Sequence, residues 1–289
     1  MKGVQFDMHG GRSGDQARTL YSLWAFAEEA GVHPVWNEFY WDKIHSRFFN
    51  EEGCKKHMKA PSEFDKQIIV ADTIKWNGLP YADFKEICNA IEDSDDGTLC
   101  IVKGTPRVEP WKLNMWHHDK LIKWKVETRP KVEYQKLFYY GFEIEKIDEV
   151  IIQVRRGDRS DYMRECGYTY DYYVSLIDWI KNNISMSSGA EMKITIISSD
   201  AGRAGTSNDL LKLGEIDRVR VDIGDYHDFD RQVLQMLGCS HLFINHSGFT
   251  KAIYYAKQFG NTYINESVFG GQYDKMKYYG QPENLKFYR

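Results

Sequence analysis

Two segments of this chain place cationic, hydroxylic and glycine residues where apolar runs end. The first is Gln153-Val154-Arg155-Arg156-Gly157-Asp158, which continues Glu149-Val150-Ile151-Ile152. Arginine presents a planar fork of donors that matches phosphate oxygens and keeps its charge when desolvated, so this text suits a diphosphate. Asp158 can hold one of the two guanidiniums in place. A surface ion pair at a turn uses the same residue types. The second segment is Asn245-His246-Ser247-Gly248-Phe249-Thr250, which continues His241-Leu242-Phe243-Ile244. Hydroxyls and free N–H groups at a helix start bind anions with help from the helix dipole, and an ordinary N-cap reads the same way.

A third loop, Gly10-Gly11-Arg12-Ser13-Gly14-Asp15-Gln16, follows the alternating run Val4 to Met8. It lacks the full Gly-x-Gly-x-x-Gly text, and no acidic residue about 20 positions on is placed like a ribose anchor, so it is a weak dinucleotide signal. No metal site is expected: His117-His118 stand without further ligands, and Asp93-Ser94-Asp95-Asp96 reads as a solvated acidic turn.

These loops need strands to hold them. Val4–Met8, the loop, Leu20 to Ala27 at helical spacing up to Gly31, and His33–Trp36 form a βαβ unit. Further strands are expected at Ile68–Val70 and Leu99–Val102, with a helix from Tyr81 to Ile91; Asn37 to Ala60 has no clean period. Lys103 to Lys136, interrupted by Pro106, Pro110 and Pro130, reads as an irregular bridge. Its Trp111, Trp116 and Trp124 could stack on sugar faces, or simply pack. Strands are then expected at Glu149–Val154, Lys193–Ile197, Val219–Asp222, His241–Asn245 and, as the last, Thr262–Ile264. Helices are expected at Asp171–Asn183, Asp228–Leu237 and Gly248–Phe259. This alternation predicts an α/β chain of two Rossmann-like, doubly wound domains, 1–140 and 141–289, facing a central cleft, with the last helix packing back on the first domain.

A length of 289 residues accommodates two such domains, and 42% hydrophobic residues suffice for their cores. With 38 Lys+Arg against 42 Asp+Glu, the net charge of −4 provides no general field for a nucleic acid. No apolar run approaches the roughly 20 residues of a membrane span, and the start lacks a signal-peptide stretch, so a cytoplasmic protein is expected, or a lumenal one if trimmed. Five scattered cysteines, with no Cys-x-x-Cys pair, read as reduced thiols.

The three loops, in this order, resemble those of the GT-B fucosyltransferases, the α1,2-, α1,6- and protein O-fucosyltransferase families. Those carry Gly-x-x-Gly-Asn-Gln, His-x-Arg-Arg-x-Asp and Ser-x-Phe-Ser/Thr motifs, matched here by Gly11 to Gln16, Gln153 to Asp158 and Ser247 to Thr250. Met236-Leu237-Gly238-Cys239-Ser240-His241 looks like a run of the α1,2 enzymes, and Gly11 to Ala27 looks more like the protein O-fucosyltransferases. Gln153 stands where the family has His, and Asp15 where it has Asn.

The resemblance implies an inverting GT-B glycosyltransferase that moves L-fucose from GDP-fucose to a hydroxyl of a glycan or glycoconjugate without a divalent metal or other cofactor. It assigns Arg155 to the β-phosphate, Arg156 to phosphate or to the loop itself, and Asp158 to an arginine or the sugar. It assigns Gly11, Gly14, Ser247, Gly248, Phe249 and Thr250 to donor binding, Asp200 to the nucleoside, and Asp230 to guanine or merely to its helix start. Arg12 would bridge to the donor, and Asp15 or Asp7 would take the acceptor's proton. A GT-B transferase for another nucleotide sugar, and a silent nucleotide- or carbohydrate-binding module, are the alternatives.

Overall fold

The computed structural model describes residues 1–7, 20, 23, 24, 26–28, 30–36, 51–71, 74–76, 79–81, 84–103, 143–157, 160–189, 191–199, 205–225, 228–245, 249, 253, 254, 256, 257, 259–265 and 285–288. The chain is α/β with parallel sheets. It divides into two compact units, Met1–Gly141 with Gly271–Pro282, and Phe142–Gly270 with Glu283–Arg289.

In the first unit, β1 (Gly3–Asp7), β2 (His33–Pro34), β3 (Lys66–Ala71) and β6 (Thr98–Lys103) form a parallel sheet in the order β2-β1-β6-β3. Val4 and Phe6 of β1 are fully buried, as are Leu23, Trp24, Phe26 and Ala27 of the helical stretch after the glycine loop, and Phe6 meets Phe26 at 5.8 Å between ring centroids. The expected strand and helical residues therefore stand on either side of a glycine loop that itself lies outside the described residues. Gly31 ends that stretch at φ +64°, a conformation glycine adopts without steric cost.

Three expectations need correction here. The helix expected from Tyr81 begins later, as α2 at Phe84–Asp93, because Tyr81 lies in β5 (Leu79–Tyr81), which pairs antiparallel with β4 (Ile74–Trp76). The stretch without clean period contains a short helix, α1 (Glu51–Lys56), anchored by buried Cys54. In the second unit, Thr262–Ile264 is not the last strand, since Leu285–Tyr288 follows it.

The second unit is a parallel sheet of β7 (Ile147–Val154), β8 (Ile194–Ser199), β9 (Val219–Gly224), β10 (Cys239–Ile244), β11 (Asn261–Asn265) and β12 (Leu285–Tyr288), in the order β12-β11-β10-β7-β8-β9. Counted within the unit this is the 3-2-1-4-5-6 order of a dinucleotide-binding sheet. Strand alternation divides its side chains between two faces. Val150, Ile152, Val154, Ile194, Ile196 and Phe243 pack on one face against α4 (Tyr170–Asn183), which follows the short helix α3 (Ser160–Glu165). That helix lays down Tyr173, Leu176, Ile177 and Ile180 at helical spacing, each aliphatic burial contributing about 1.5–3 kcal/mol. Its start is capped by the Thr169 hydroxyl, which accepts from the Tyr172 amide at 3.4 Å. Ile151, Ile197 and Leu242 alternate to the other face and are equally buried. On that face α5 (Phe229–Gly238) is tied to the sheet by Gln232, whose amide donates to the Ser198 and Asp222 carbonyls at 3.2 and 3.3 Å.

Lys257 is wholly buried and donates to the Met236 and Leu237 carbonyls, each at 3.2 Å, and to that of Cys239. A cation there satisfies the free carbonyls at the end of α5 and complements its dipole. All five cysteines are free, and burial, followed by the neighbouring Cys88, pushes the Cys100 thiol up to about 12. Asp95 and Asp96 make surface ion pairs, with Lys66 at 2.7 Å and the N-terminus at 3.0 Å, as a solvated acidic turn should.

The beginning of β7 is fixed by Asp148, which accepts from the Ser188 amide at 2.8 Å and the Ser240 hydroxyl at 2.9 Å. Hydrogen bonding from Ser188, first its side chain and then its amide, lowers the carboxyl from 3.8 to about 2. A carboxyl lowered on folding stabilises the fold above its unfolded pKa, and that contribution disappears as pH falls through the folded value. Asp148→Asn is therefore expected to melt below wild type at neutral pH, with the gap closing between about pH 4 and 2. Thermal melts across that range check it, and a constant gap would contradict the assignment.

Candidate functional site

In an open parallel sheet, neighbouring loops splay to opposite faces where the strand order reverses, leaving a crevice beyond the carboxyl ends of the two strands concerned. In the second unit those strands are β7 and β10, paired with Phe243 opposite Ile152. They are the strands that end in Arg155-Arg156-Gly157 and in Asn245 to Thr250. The two loops whose residue types suit an anion thus leave the two strands that flank this crevice.

The two-residue period of β7 separates its arginines. Carried past Val154, it places Arg156 on the α4 face and Arg155 on the face of Ile151 and Gln153. The contacts of Arg156 agree. Its side chain has no exposure; it donates to the Tyr168 carbonyl at 3.0 Å and to Asp209 Oδ2 at 3.3 Å, and lies 5.8 Å over the Tyr173 ring. Arg155 is partly exposed. Gly157 then takes φ +67°, and its amide donates to the Thr206 hydroxyl at 3.1 Å, so the backbone turns sharply after the second arginine.

Beneath the crevice lies a layer of buried polar and aromatic groups. Tyr168, Tyr172 and Tyr173 cluster at the start of α4, with Tyr172 and Tyr173 edge to face at 5.0 Å between centroids. The Tyr172 and Tyr288 hydroxyls are 2.6 Å apart, and Asn265 donates to the Tyr172 hydroxyl at 3.3 Å, which joins the ends of β11 and β12 to α4. Asn245, at the end of β10, is buried beside the Tyr173 hydroxyl, whose pKa burial pushes far above the ordinary phenol value. Burial likewise raises the Tyr172 and Tyr288 hydroxyls, so Tyr172, Tyr173 and Tyr288 stay neutral.

Phe229, the first residue of α5, and Phe249 stand with ring centroids 5.1 Å apart. This brings the first turn of α5, which carries Asp230, beside Phe249. Asp222, at the end of β9, is held below the ordinary carboxylate range, chiefly by its hydrogen bonds from Arg231. Of the residues singled out from the sequence, the structure thus places Arg155, Arg156, Asp230 and Phe249 in the second unit around these strand ends. Gly11, Arg12, Gly14, Asp15, Asp158, Asp200, Ser247, Gly248 and Thr250 lie outside the described residues, as do His117, His118, Trp111, Trp116 and Trp124.

Sequence reasoning missed Tyr168, Tyr173, Thr206 and Asp209 as supports of the arginine loop. Only the tyrosines had a local signal, being aromatic residues at the start of an apolar-periodic helix. Among the described residues no group of three or more His, Cys, Asp or Glu side chains is placed to hold a metal ion, and no helix is long and apolar enough to cross a membrane.

No family model and no curated protein matches the sequence. Among solved structures the chain is similar to POFUT1 in complex with GDP-fucose, at 13% identity and a TM-score of 0.46, over 99% of this chain and 97% of that one. It is also similar to a variant of Arabidopsis thaliana FUT1 in complex with GDP, at 10% identity and a TM-score of 0.48, over 91% of this chain and 70% of that one. POFUT1 in complex with GDP matches at 13% identity and a TM-score of 0.44, over 99% and 98% of the two chains.

Proposed function

We propose that this protein is an inverting glycosyltransferase of the GT-B class that transfers L-fucose from GDP-fucose to a hydroxyl of a glycan or glycoconjugate, without a metal ion. The observation that carries the reading is the coincidence of two anion-suited loops with the two strands at the reversal of the second sheet. Sugar transfer breaks the bond from the anomeric carbon to the β-phosphate oxygen while a bond forms to the acceptor oxygen on the opposite face. Positive charge grows on the sugar and negative charge on the departing diphosphate, so a fixed cation at the diphosphate lowers the barrier.

Arg155 is that cation in this reading. Arg156 acts within the protein, holding the loop, because its guanidinium already faces Asp209 and the Tyr168 carbonyl. Ser247, Gly248 and Thr250 bind diphosphate oxygens at their helix start, Asp158 orients an arginine or the sugar, and Phe249 and Asp230 stand on the nucleoside side with Asp200. In the glycine loop, Gly11, Arg12 and Gly14 serve the donor, and the Asp15 carboxylate takes the proton released by the acceptor hydroxyl.

Incubation with a panel of nucleotide sugars in excess EDTA, reading nucleotide release, tests the reading. GDP-fucose is expected to be turned over at the same rate with and without the chelator. Turnover of a UDP-sugar instead would reassign the donor, and GDP binding with no turnover of any sugar would mark a silent binding module.

A further inference from the structure

The arginine loop is clamped from one side by a segment remote in sequence. Asp209, at the start of the 3-10 helix Asn208–Glu215, accepts from Arg156 at 3.3 Å and from Arg164 Nε at 3.4 Å, both on Oδ2. Its other oxygen is buried with no hydrogen-bond partner among the described residues, where the two guanidiniums orient the carboxylate. Three residues earlier, the Thr206 hydroxyl accepts the Gly157 amide at 3.1 Å, and the Thr206 carbonyl accepts from Ser160 and Arg164, each at 3.3 Å. The clamp is itself anchored. The Ser207 hydroxyl, fully buried, lies 2.9 Å from that of Ser198, and Leu210 and Leu213 enter the core beneath α4.

From these contacts we propose that Asp209 is a positioning residue of the anion site. It neutralises and orients Arg156, and through Arg156 and the Thr206–Gly157 bond it sets the path of the backbone from which Arg155 extends. The proposal rests on the reading of Arg155 as the phosphate ligand. Its physical content is that an anion site is strong only when its donors are fixed before the ligand arrives. Without the carboxylate, the enclosed Arg156 and the half-exposed Arg164 lose the anion between them, Arg156 leaves the Tyr173 face, and the loop loses its single conformation.

The test uses the full chain with Asp209→Ala and Asp209→Asn, reading amide exchange at Gly157 without ligand and GDP affinity by calorimetry. Asp209→Ala is expected to speed Gly157 exchange at least about tenfold and to weaken GDP binding about tenfold, which corresponds to about 1.4 kcal/mol. Asp209→Asn, which keeps an acceptor but not the charge, is expected to fall between Ala and wild type, and it serves as the test if the alanine variant does not fold. If Asp209 acts through Arg156, adding Arg156→Met to Asp209→Ala weakens GDP little further, since coupled residues are not additive. Additive losses, or unchanged Gly157 exchange and GDP affinity in a folded variant, would overturn the proposal. Failure of the two readings is distinguishable: a wild type that ignores GDP overturns the assignment of Arg155, whereas GDP binding that Asp209→Ala leaves intact overturns that of Asp209.

Discussion

Arg155→Ala is expected to reduce GDP-fucose turnover by about 10²–10³-fold while leaving the melting temperature close to that of wild type. The rate loss follows from position. Arg155 is the guanidinium at this strand end that alternation sends away from the α4 core, at the end of one of the two strands where the sheet order reverses. A cation there acts on charge that grows on the leaving diphosphate, so its removal should lower kcat, and KM should change less. The stability expectation follows from its partial exposure, since truncating a side chain that solvent reaches costs less than truncating an enclosed one. Arg155→Lys should recover only part of the rate, because an ammonium cannot reproduce a bidentate fork. Single-turnover kinetics alongside a thermal melt measure both halves. Full activity in a folded Arg155→Ala protein would remove the residue from the site.

Arg156→Ala is expected to act first on stability, lowering it by about 3 kcal/mol, and to weaken GDP binding only through the loosened arginine loop. Its side chain is fully enclosed, paired with Asp209, bonded to the Tyr168 carbonyl and set over Tyr173. Removal leaves a cavity, takes one donor from the Tyr168 carbonyl and leaves the Asp209 carboxylate paired with Arg164, and that remaining pair keeps the cost near the low end for a broken buried ion pair. In a domain of this size the melting temperature should fall by roughly 5–10 °C. Arg156→Lys should not rescue it, because one ammonium cannot stack on the ring and serve both acceptors. Denaturant unfolding of both variants checks this. Two neighbouring arginines with opposite signatures, one kinetic and one thermodynamic, would separate ligand contact from support.

Why the sequence conveyed some of this and not the rest is a matter of range. The strands that flank the reversal are long apolar runs, Val150 to Val154 and Leu242 to Ile244, and such runs announce themselves. Their loops carried residue types with few other uses. The strand order that makes neighbours of β7 and β10 is set by crossovers, which periodicity does not encode. β12 escaped because Leu285–Tyr288 is a four-residue edge strand with barely one alternation. β5 escaped because Pro80 argues against a strand and is tolerated only in a small two-stranded sheet. The 3-10 helix places Leu210 and Leu213 three residues apart, one turn of that helix, a spacing too short to register as an amphipathic pattern. Asp209 had no local signal, because its partner Arg156 stands 53 residues earlier and only the fold joins them.

The most direct test of the central claim, that the strand ends of β7 and β10 hold the diphosphate of a guanosine nucleotide, is a thermal-shift titration with GDP and UDP in EDTA on wild type and Arg155→Ala. A ligand that binds only the folded state stabilises it by about 2.7 kcal/mol at a hundredfold excess over Kd. GDP is expected to raise the wild-type melting temperature, UDP to leave it unchanged, and Arg155→Ala to lose most of the shift. An equal shift with GDP in wild type and in Arg155→Ala, or a shift with UDP alone, would contradict it.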